Sequence, residues 1–155
     1  MKTIDILVAT TSGNTEYLAD QIQAQLEQAG FTTAMHYEPD FTTLTQQPLQ
    51  QHIWLACVAS HGAGDYGDSM LDFAEQLHQQ APQLKGLGYA VIAIGESCYD
   101  TYCAAGRDLD TRLAVAGASR LQALLEIDML NDDPEQLAPP WVNKLCQLIS
   151  TSVDN

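Results

Sequence analysis

Residues Ile53 to Val58 read Ile-Trp-Leu-Ala-Cys-Val, six apolar residues with no polar position among them. A strand with one face in water alternates apolar and polar side chains, so this run belongs to a strand covered on both faces. Gly88 to Ile94 is apolar throughout in the same way, and Ile4 to Thr10 is a third such run, interrupted only by Asp5. Sheets covered on both faces are parallel sheets, and parallel neighbours need long crossovers, usually helices.

The intervening segments meet that requirement. Thr15 to Ala29 places Leu18, Ile22, Leu26 and Ala29 on one helical face, and Gly30 supplies the stop. Thr32 to Tyr37 reads as a second strand, and Glu38 to His52, with Pro39 and Pro48, as an irregular connection containing one short helical turn. Asp68 or Ser69 caps a helix with Met70, Phe73, Ala74 and Leu77 as its apolar stripe, ended by Pro82. Ala104 to Ala116 is the next helix, with Leu109 and Leu113 inward and Gly117 as its stop. Leu121 to Met129 is the predicted fifth strand. The last helix is predicted to start near Pro140, with Trp141, Leu145, Leu148 and Ile149 as its apolar face. Trp54 and Trp141 are expected in the core. The fold class is α/β, a doubly wound five-stranded parallel sheet with helices on both faces, in a single domain spanning 1–155.

Composition narrows the function. The formal net charge is −14, from 20 acids and 6 bases, and no Lys or Arg occurs between Thr3 and Leu84. Nucleic-acid binding needs cations against phosphates, so that class is excluded. A basic protein partner is the natural complement, although acidity that serves only solubility stays open. No apolar run approaches the ~20 residues of a membrane span, so no membrane role is expected. The amino terminus carries Asp5 within its apolar run and no small-residue cleavage site, and a cytoplasmic location is expected. Cys57, Cys98, Cys103 and Cys146 form no C-x-x-C pair, and Cys57 reads as a buried thiol. His36, His52, His61 and His78 lack metal-ligand spacing, so no metal is expected.

Three loops rich in glycine and hydroxyls follow strands one, three and four: Thr10-Thr11-Ser12-Gly13-Asn14-Thr15, Ser60-His61-Gly62-Ala63-Gly64-Asp65, and Gly95-Glu96-Ser97-Cys98-Tyr99-Asp100-Thr101-Tyr102-Cys103. Ligands of parallel α/β sheets bind at the carboxyl ends of the strands, where these loops converge. The first leads into a helix and offers hydroxyls and backbone N–H groups to a phosphate, without a cation. Neither G-x-x-x-x-G-K-[ST] nor G-x-G-x-x-G follows strand one, and a receiver domain's acidic cluster is replaced by Thr10-Thr11. A ligand with one phosphate and a flat aromatic body fits, with His61 and Tyr99 as candidate ring contacts.

These loops resemble those of the flavodoxins. Thr10 to Thr15 is similar to their T-x-[TS]-G-N-T phosphate loop, Gly95 to Cys103 to their G-[DE]-S-x-Y-x-x-F-C ring loop, and Ser60 to Asp65 to the H-G-A-G-D form of the short-chain, MioC-type members. The resemblance extends along the whole chain and implies the flavodoxin-like strand order 2-1-3-4-5 and FMN as cofactor. It implies that Thr10, Thr11, Ser12, Gly13, Asn14 and Thr15 hold the phosphate. Ser60, His61, Gly62, Ala63 and Gly64 would line the inner ring face, with the Gly62 peptide at the position that rotates toward reduced flavin N5. Gly95, Glu96 and Ser97 would read the pyrimidine edge, Tyr99 would stack on the outer face, and Tyr102 and Cys103, at the end of the same loop, are candidate cofactor-binding residues for which packing roles stay open. His61 departs from the Trp or Tyr of many members: either its protonated form favours reduced flavin, or it is a solvated loop histidine.

The implied function is an FMN-binding electron carrier rather than an enzyme, a likeness that fits a monomer. Its donor would be a separate flavodoxin/ferredoxin-NADP reductase, and its acceptor a reductively activated enzyme such as biotin synthase. Acids on the ring loops (Asp65, Asp68, Glu96, Asp100) with no nearby base disfavour added electrons and predict a low reduction potential. The competing reading on this fold is an FMN-dependent quinone or NAD(P)H oxidoreductase, which needs a substrate pocket usually built by longer loops.

Overall fold

The computed structural model describes residues 2–9, 13–59, 72–77, 84–95, 103–129 and 131–153. The first apolar run forms β1 (Thr3–Ala9), and helix α1 (Gly13–Gln28) follows it closely. α1 starts two residues before the predicted Thr15, because Gly13 and Asn14 already belong to its first turn. Leu18, Ile22 and Leu26 are buried as expected, whereas Ala29 is exposed. The helix ends as its glycine dictates: Gly30 has φ +95°, its N–H reaches Glu27 O at 3.0 Å, and the Phe31 N–H reaches Leu26 O at 3.1 Å. This is the left-handed cap that a side chain would strain.

β2 (Thr32–His36), a short helix α2 (Phe41–Thr45) and one 3₁₀ turn (Leu49–Gln51) lead to β3 (His52–Ala59). Residues 72–77 are helical (α3), with Phe73, Ala74 and Leu77 buried; Asp68, Ser69, Met70 and Pro82 lie outside the described residues. β4 (Gly88–Gly95) is buried along its whole length, and α4 (Ala104–Val115) is stopped at Gly117, whose φ is +100°.

All strand pairs are parallel, in the order β2-β1-β3-β4 and then the fifth-strand position, as the resemblance implies. α1 and the last helix, α5 (Pro134–Val153), bury one face, where Ile4, Ile6, Ile22, Leu55, Ile92, Val142 and Leu145 meet. α2, α3 and α4 bury the other, around Leu7, Trp54, Phe73, Tyr89, Val91 and Leu109. Trp54 and Phe41 each meet Phe73 edge-on, at ring separations of 5.6 and 5.2 Å.

Asp5 points into this second face and is only 3% exposed. Its carboxylate accepts a hydrogen bond from His36 Nε2 at 3.0 Å and another from His52 Nδ1 at 2.7 Å, one imidazole from each neighbouring strand. A carboxylate out of water is tolerated when charge-assisted hydrogen bonds replace its hydration.

The fifth strand departs from expectation. Instead of Leu121 to Met129, two pieces pair with β4: β5 (Ser119–Arg120) and β6 (Leu125–Asp128). The Leu121 side chain lies so close to Gly88 that a Cβ there would meet Leu121 Cδ1 at 2.9 Å. The chain then leaves the ladder, and Trp141 Nε1 donates to Ala123 O at 3.0 Å across the gap. Trp141 is therefore half-buried at the core's margin rather than within it, while Trp54 is in the core at 1% exposure. Arg120 holds Asp110 of α4 through Nε (3.0 Å) and Nη2 (2.7 Å), which ties the two-residue β5 to the helix behind it.

α5 begins at Pro134, not near Pro140. Asp133 caps it by accepting the Glu135 N–H at 3.0 Å, and Pro134 takes the first position, where the missing N–H costs nothing. Pro139 and Pro140 lie inside the helix, and the carbonyls they leave unbonded belong to the exposed Glu135 and Gln136. Gln25 of α1 braces this stretch, donating to Pro139 O and Asn143 Oδ1, both at 2.9 Å. Leu148, expected inward, is 36% exposed.

Candidate functional site

Because the sheet is parallel, β1, β3, β4 and β6 all end at one edge. Ala9 is in register with Val58, Ala59 with Ile94, and Gly95 with Asp128. The three strands that begin the glycine-rich loops thus end side by side, about 4.8 Å apart. They end in Ala9, Ala59 and Gly95, so no large side chain from the last residue of each strand blocks a flat group at this edge. β2 lies on one side of β1 and β3 on the other, which makes the gap above β1 and β3 the topological switch point.

The 16-residue α1 starts at this gap, its first-turn N–H groups and positive dipole end directed at the sheet edge. Gly13 and Asn14 open the helix, and Thr15 is buried at 3% exposure. Gly95 closes β4, and its carbonyl accepts the Met129 N–H at 2.8 Å. Cys103 is fully buried, adopts the left-handed φ of 56° just before α4, and its thiol donates to Ala93 O at 3.4 Å. Thr10, Thr11, Ser12, Ser60, His61, Gly62, Ala63, Gly64, Asp65, Glu96, Ser97, Tyr99 and Tyr102 lie outside the described residues.

The electrostatics of the edge follow from where the cations are. Lys2 and Lys85 precede β1 and β4 at the opposite edge of the sheet. Arg112 meets Asp108 at 2.6 Å, Arg120 meets Asp110, and Arg107 meets Glu126. Exposed acids flank α1 at Glu16 and Asp20, and the Tyr37 hydroxyl donates to Asp20 at 2.8 Å. That hydrogen bond and the aspartate's charge raise the Tyr37 pKa. Cys57, buried in β3 beneath the gap, is pushed up to about 12 by burial and stays a thiol. Among the described residues no group of three His, Cys, Asp or Glu could hold a metal ion.

A phosphate-bearing, flat cofactor fits these features: a helix start for the anion, small strand ends for the ring, and, among the described residues, no lysine or arginine in the first turn of α1 or at the last residues of β1, β3 and β4. The flavodoxin family matches residues 6–141 of the chain. The chain belongs to the flavodoxin family. Flavodoxins bind FMN and carry electrons rather than convert a substrate of their own. The chain is 35% identical over 150 residues to Protein MioC of Escherichia coli (strain K12), covering 96% of itself and 99% of that protein. It is 33% identical over 142 residues to the sulfite reductase [NADPH] flavoprotein alpha-component of Bacillus subtilis (strain 168), covering 91% of itself and 23% of that longer protein. In fold it matches a flavodoxin mutant from Pseudomonas aeruginosa with a TM-score of 0.85 at 23% identity, over 96% of this chain and 99% of that one.

Sequence reasoning passed over one part of this edge. β6 ends beside Gly95, and the Asn131-Asp132-Asp133-Pro134 turn that follows builds a hydrogen-bonded corner there. Its signal was the Asn-Asp-Asp cluster directly after a strand.

Proposed function

We propose that this flavodoxin holds FMN at the edge defined by Ala9, Ala59 and Gly95 and carries low-potential electrons between two protein partners. The observation that carries the reading is that β1, β3 and β4, which begin the three family loops, end there in adjacent small residues. Thr10 to Thr15 hold the phosphate at the start of α1 with hydroxyls and N–H groups. Ser60 to Gly64, with His61, cover one ring face; Tyr99 covers the other, with Gly95 to Ser97 at the pyrimidine edge and Tyr102 and Cys103 closing the loop. Bound FMN supplies the redox chemistry, and the chain supplies orientation, water exclusion and the local field. With Lys2 and Lys85 at the far edge, Arg107 paired to Glu126, and acids around the near edge, that field opposes added negative charge and lowers the reduction potential.

The reading extends to one domain over 1–155, a monomer in the cytoplasm, a flavodoxin/ferredoxin-NADP reductase as donor and a reductively activated enzyme such as biotin synthase as acceptor. The rim supports basic partners: Glu16, Asp20 and Glu38 are exposed beside Tyr17 and Tyr37, which are 58% and 42% exposed. Among the described residues no helix is long and apolar enough to cross a membrane.

Titrating the apo-protein with FMN tests the cofactor: flavin fluorescence is expected to quench stoichiometrically, and to persist if the reading is wrong. Adding NADPH tests the role. Reduction is expected only when the reductase is also present; steady NADPH oxidation with a quinone by the protein alone would replace the carrier with an oxidoreductase.

A further inference from the structure

The β6–α5 corner lies outside the three family loops, yet it leaves the sheet beside one of them. Asp128, the last residue of β6, is in register with Gly95, the last residue of β4. One residue further on, Met129 donates its N–H to Gly95 O at 2.8 Å, which fixes the peptide from which the chain enters the ring loop. Asp128 closes the corner from three sides. Its carboxylate accepts Asn131 Nδ2 at 2.7 Å, and its N–H donates to Asp132 Oδ2 at 2.9 Å. Its carbonyl accepts the N–H groups of Asp132 and Asn131 at 2.7 and 3.2 Å.

Side chains alternate along a strand, so Asp128 shares a sheet face with Glu126, whose partner Arg107 stands in the first turn of α4. Asp128 therefore faces the side of the sheet where the chain leaves β4 and returns to α4. It is 8% exposed. An asparagine there would keep an acceptor for the Asn131 amide and lose the charge. A carboxylate kept at this depth adds a poorly screened negative charge to the edge.

We infer that Asp128 is a positioning residue for the flavin: its corner sets the Gly95 peptide at the start of the ring loop, and its charge adds to the field that lowers the potential. The inference rests on the FMN reading above. Two substitutions separate the parts. Asp128→Asn keeps an acceptor for Asn131 and removes the charge; Asp128→Ala removes both. The control is Asp133→Asn, at the exposed cap of α5.

The experiment measures FMN dissociation constants by fluorescence quenching, and midpoint potentials by equilibration with reference dyes, in wild type and the three variants. Asp128→Asn is expected to keep wild-type affinity with a more positive potential, while Asp133→Asn changes neither. Asp128→Ala is expected to bind about tenfold more weakly, the loss of one charged hydrogen bond. Should Asp128→Ala fail to fold, the potential of Asp128→Asn still decides. Wild-type potential in Asp128→Asn, or a shift no larger than that of Asp133→Asn, overturns the inference. A wild-type protein that leaves FMN fluorescent overturns the FMN reading instead, so the two failures are distinct.

Discussion

Gly106, in the first turn of α4, sets two effects of opposite sign against each other. Replacing glycine by alanine inside a helix ordinarily stabilises by about 1 kcal/mol, because the glycine backbone loses more freedom on folding. Here the added Cβ would stand 2.3 Å from Ala93 Cβ and 2.8 Å from Ala93 Cα. Carbon atoms pack at about 3.5–4.0 Å, so a gap of more than ~1 Å must open. Ala93 cannot retreat: it is fully buried in β4, paired with Val58 of β3 on one side and Glu126 of β6 on the other. α4 must move instead, lifting Ala105, Leu109 and Leu113 from the core face they share. Overpacking of this kind costs about 1–3 kcal/mol and sometimes more, which outweighs the helix gain. A 2.3 Å approach belongs at the upper end, so a cost of about 3 kcal/mol less the helix gain of about 1 leaves Gly106→Ala about 2 kcal/mol less stable, with a melting temperature lower by about 4–8 °C.

Urea unfolding of the apo-protein followed by circular dichroism measures this directly, with the slope checked for constancy. The double variant Gly106→Ala/Ala93→Gly removes the 2.3 Å contact and leaves the 2.8 Å one, so partial recovery is expected, with a coupling energy of about 1 kcal/mol. FMN affinity should fall alongside stability, because the Cys103 thiol that anchors the start of α4 is bonded to Ala93 O. A Gly106→Ala protein as stable as wild type would refute the reasoning, since it would show that α4 can shift on β4 without cost.

The buried Cys57 thiol ties stability to alkaline pH. Burial raises it from 9.0 to about 12, so between those values the unfolded chain releases a proton that the folded chain keeps, and stability falls as pH rises. Unfolding free energies from urea titrations at about pH 8 and pH 10 should differ by about 1.4 kcal/mol more in wild type than in Cys57→Ala; an equal difference in the two proteins would refute this. Asp5→Ala strands two imidazole N–H donors and should cost about 2–4 kcal/mol, Asp5→Asn less. A thermal melt of Asp5→Ala superimposable on wild type would show that the histidines find other partners.

What the sequence made legible is what local chemistry decides. The apolar runs marked β1, β3 and β4, and glycines that have no strain at positive φ ended α1 and α4 where Gly30 and Gly117 stand. At the candidate site the strands were legible in the same way, because Ala9, Ala59 and Gly95 end β1, β3 and β4 directly before the three family loops. Pairings between distant residues were not. Asp5 finds its histidines 31 and 47 positions away, a choice made by sheet register rather than by neighbours. The start of α5 was misplaced because Pro140 and Pro134 both suit a first turn, and only the Asp133 cap distinguishes them.

The fifth strand shows how register controls the site itself. If the β5 pairing continued unbroken, Ile92 would face Ala123; it faces Leu125, so the break at 121–124 absorbs two extra residues. An even number leaves the alternation of side chains intact, whereas a single extra residue would reverse it. Leu125 and Ile127 therefore still enter the core shared with α1 and α5, and Glu126 and Asp128 still face α4. With one residue more or fewer in the break, β6 would turn its carboxylates into that apolar core and take Asp128 away from the α4 side. The Gly88–Leu121 contact and the Trp141–Ala123 hydrogen bond, which stabilise the break, thereby decide which face of the sheet receives Asp128 at the candidate edge.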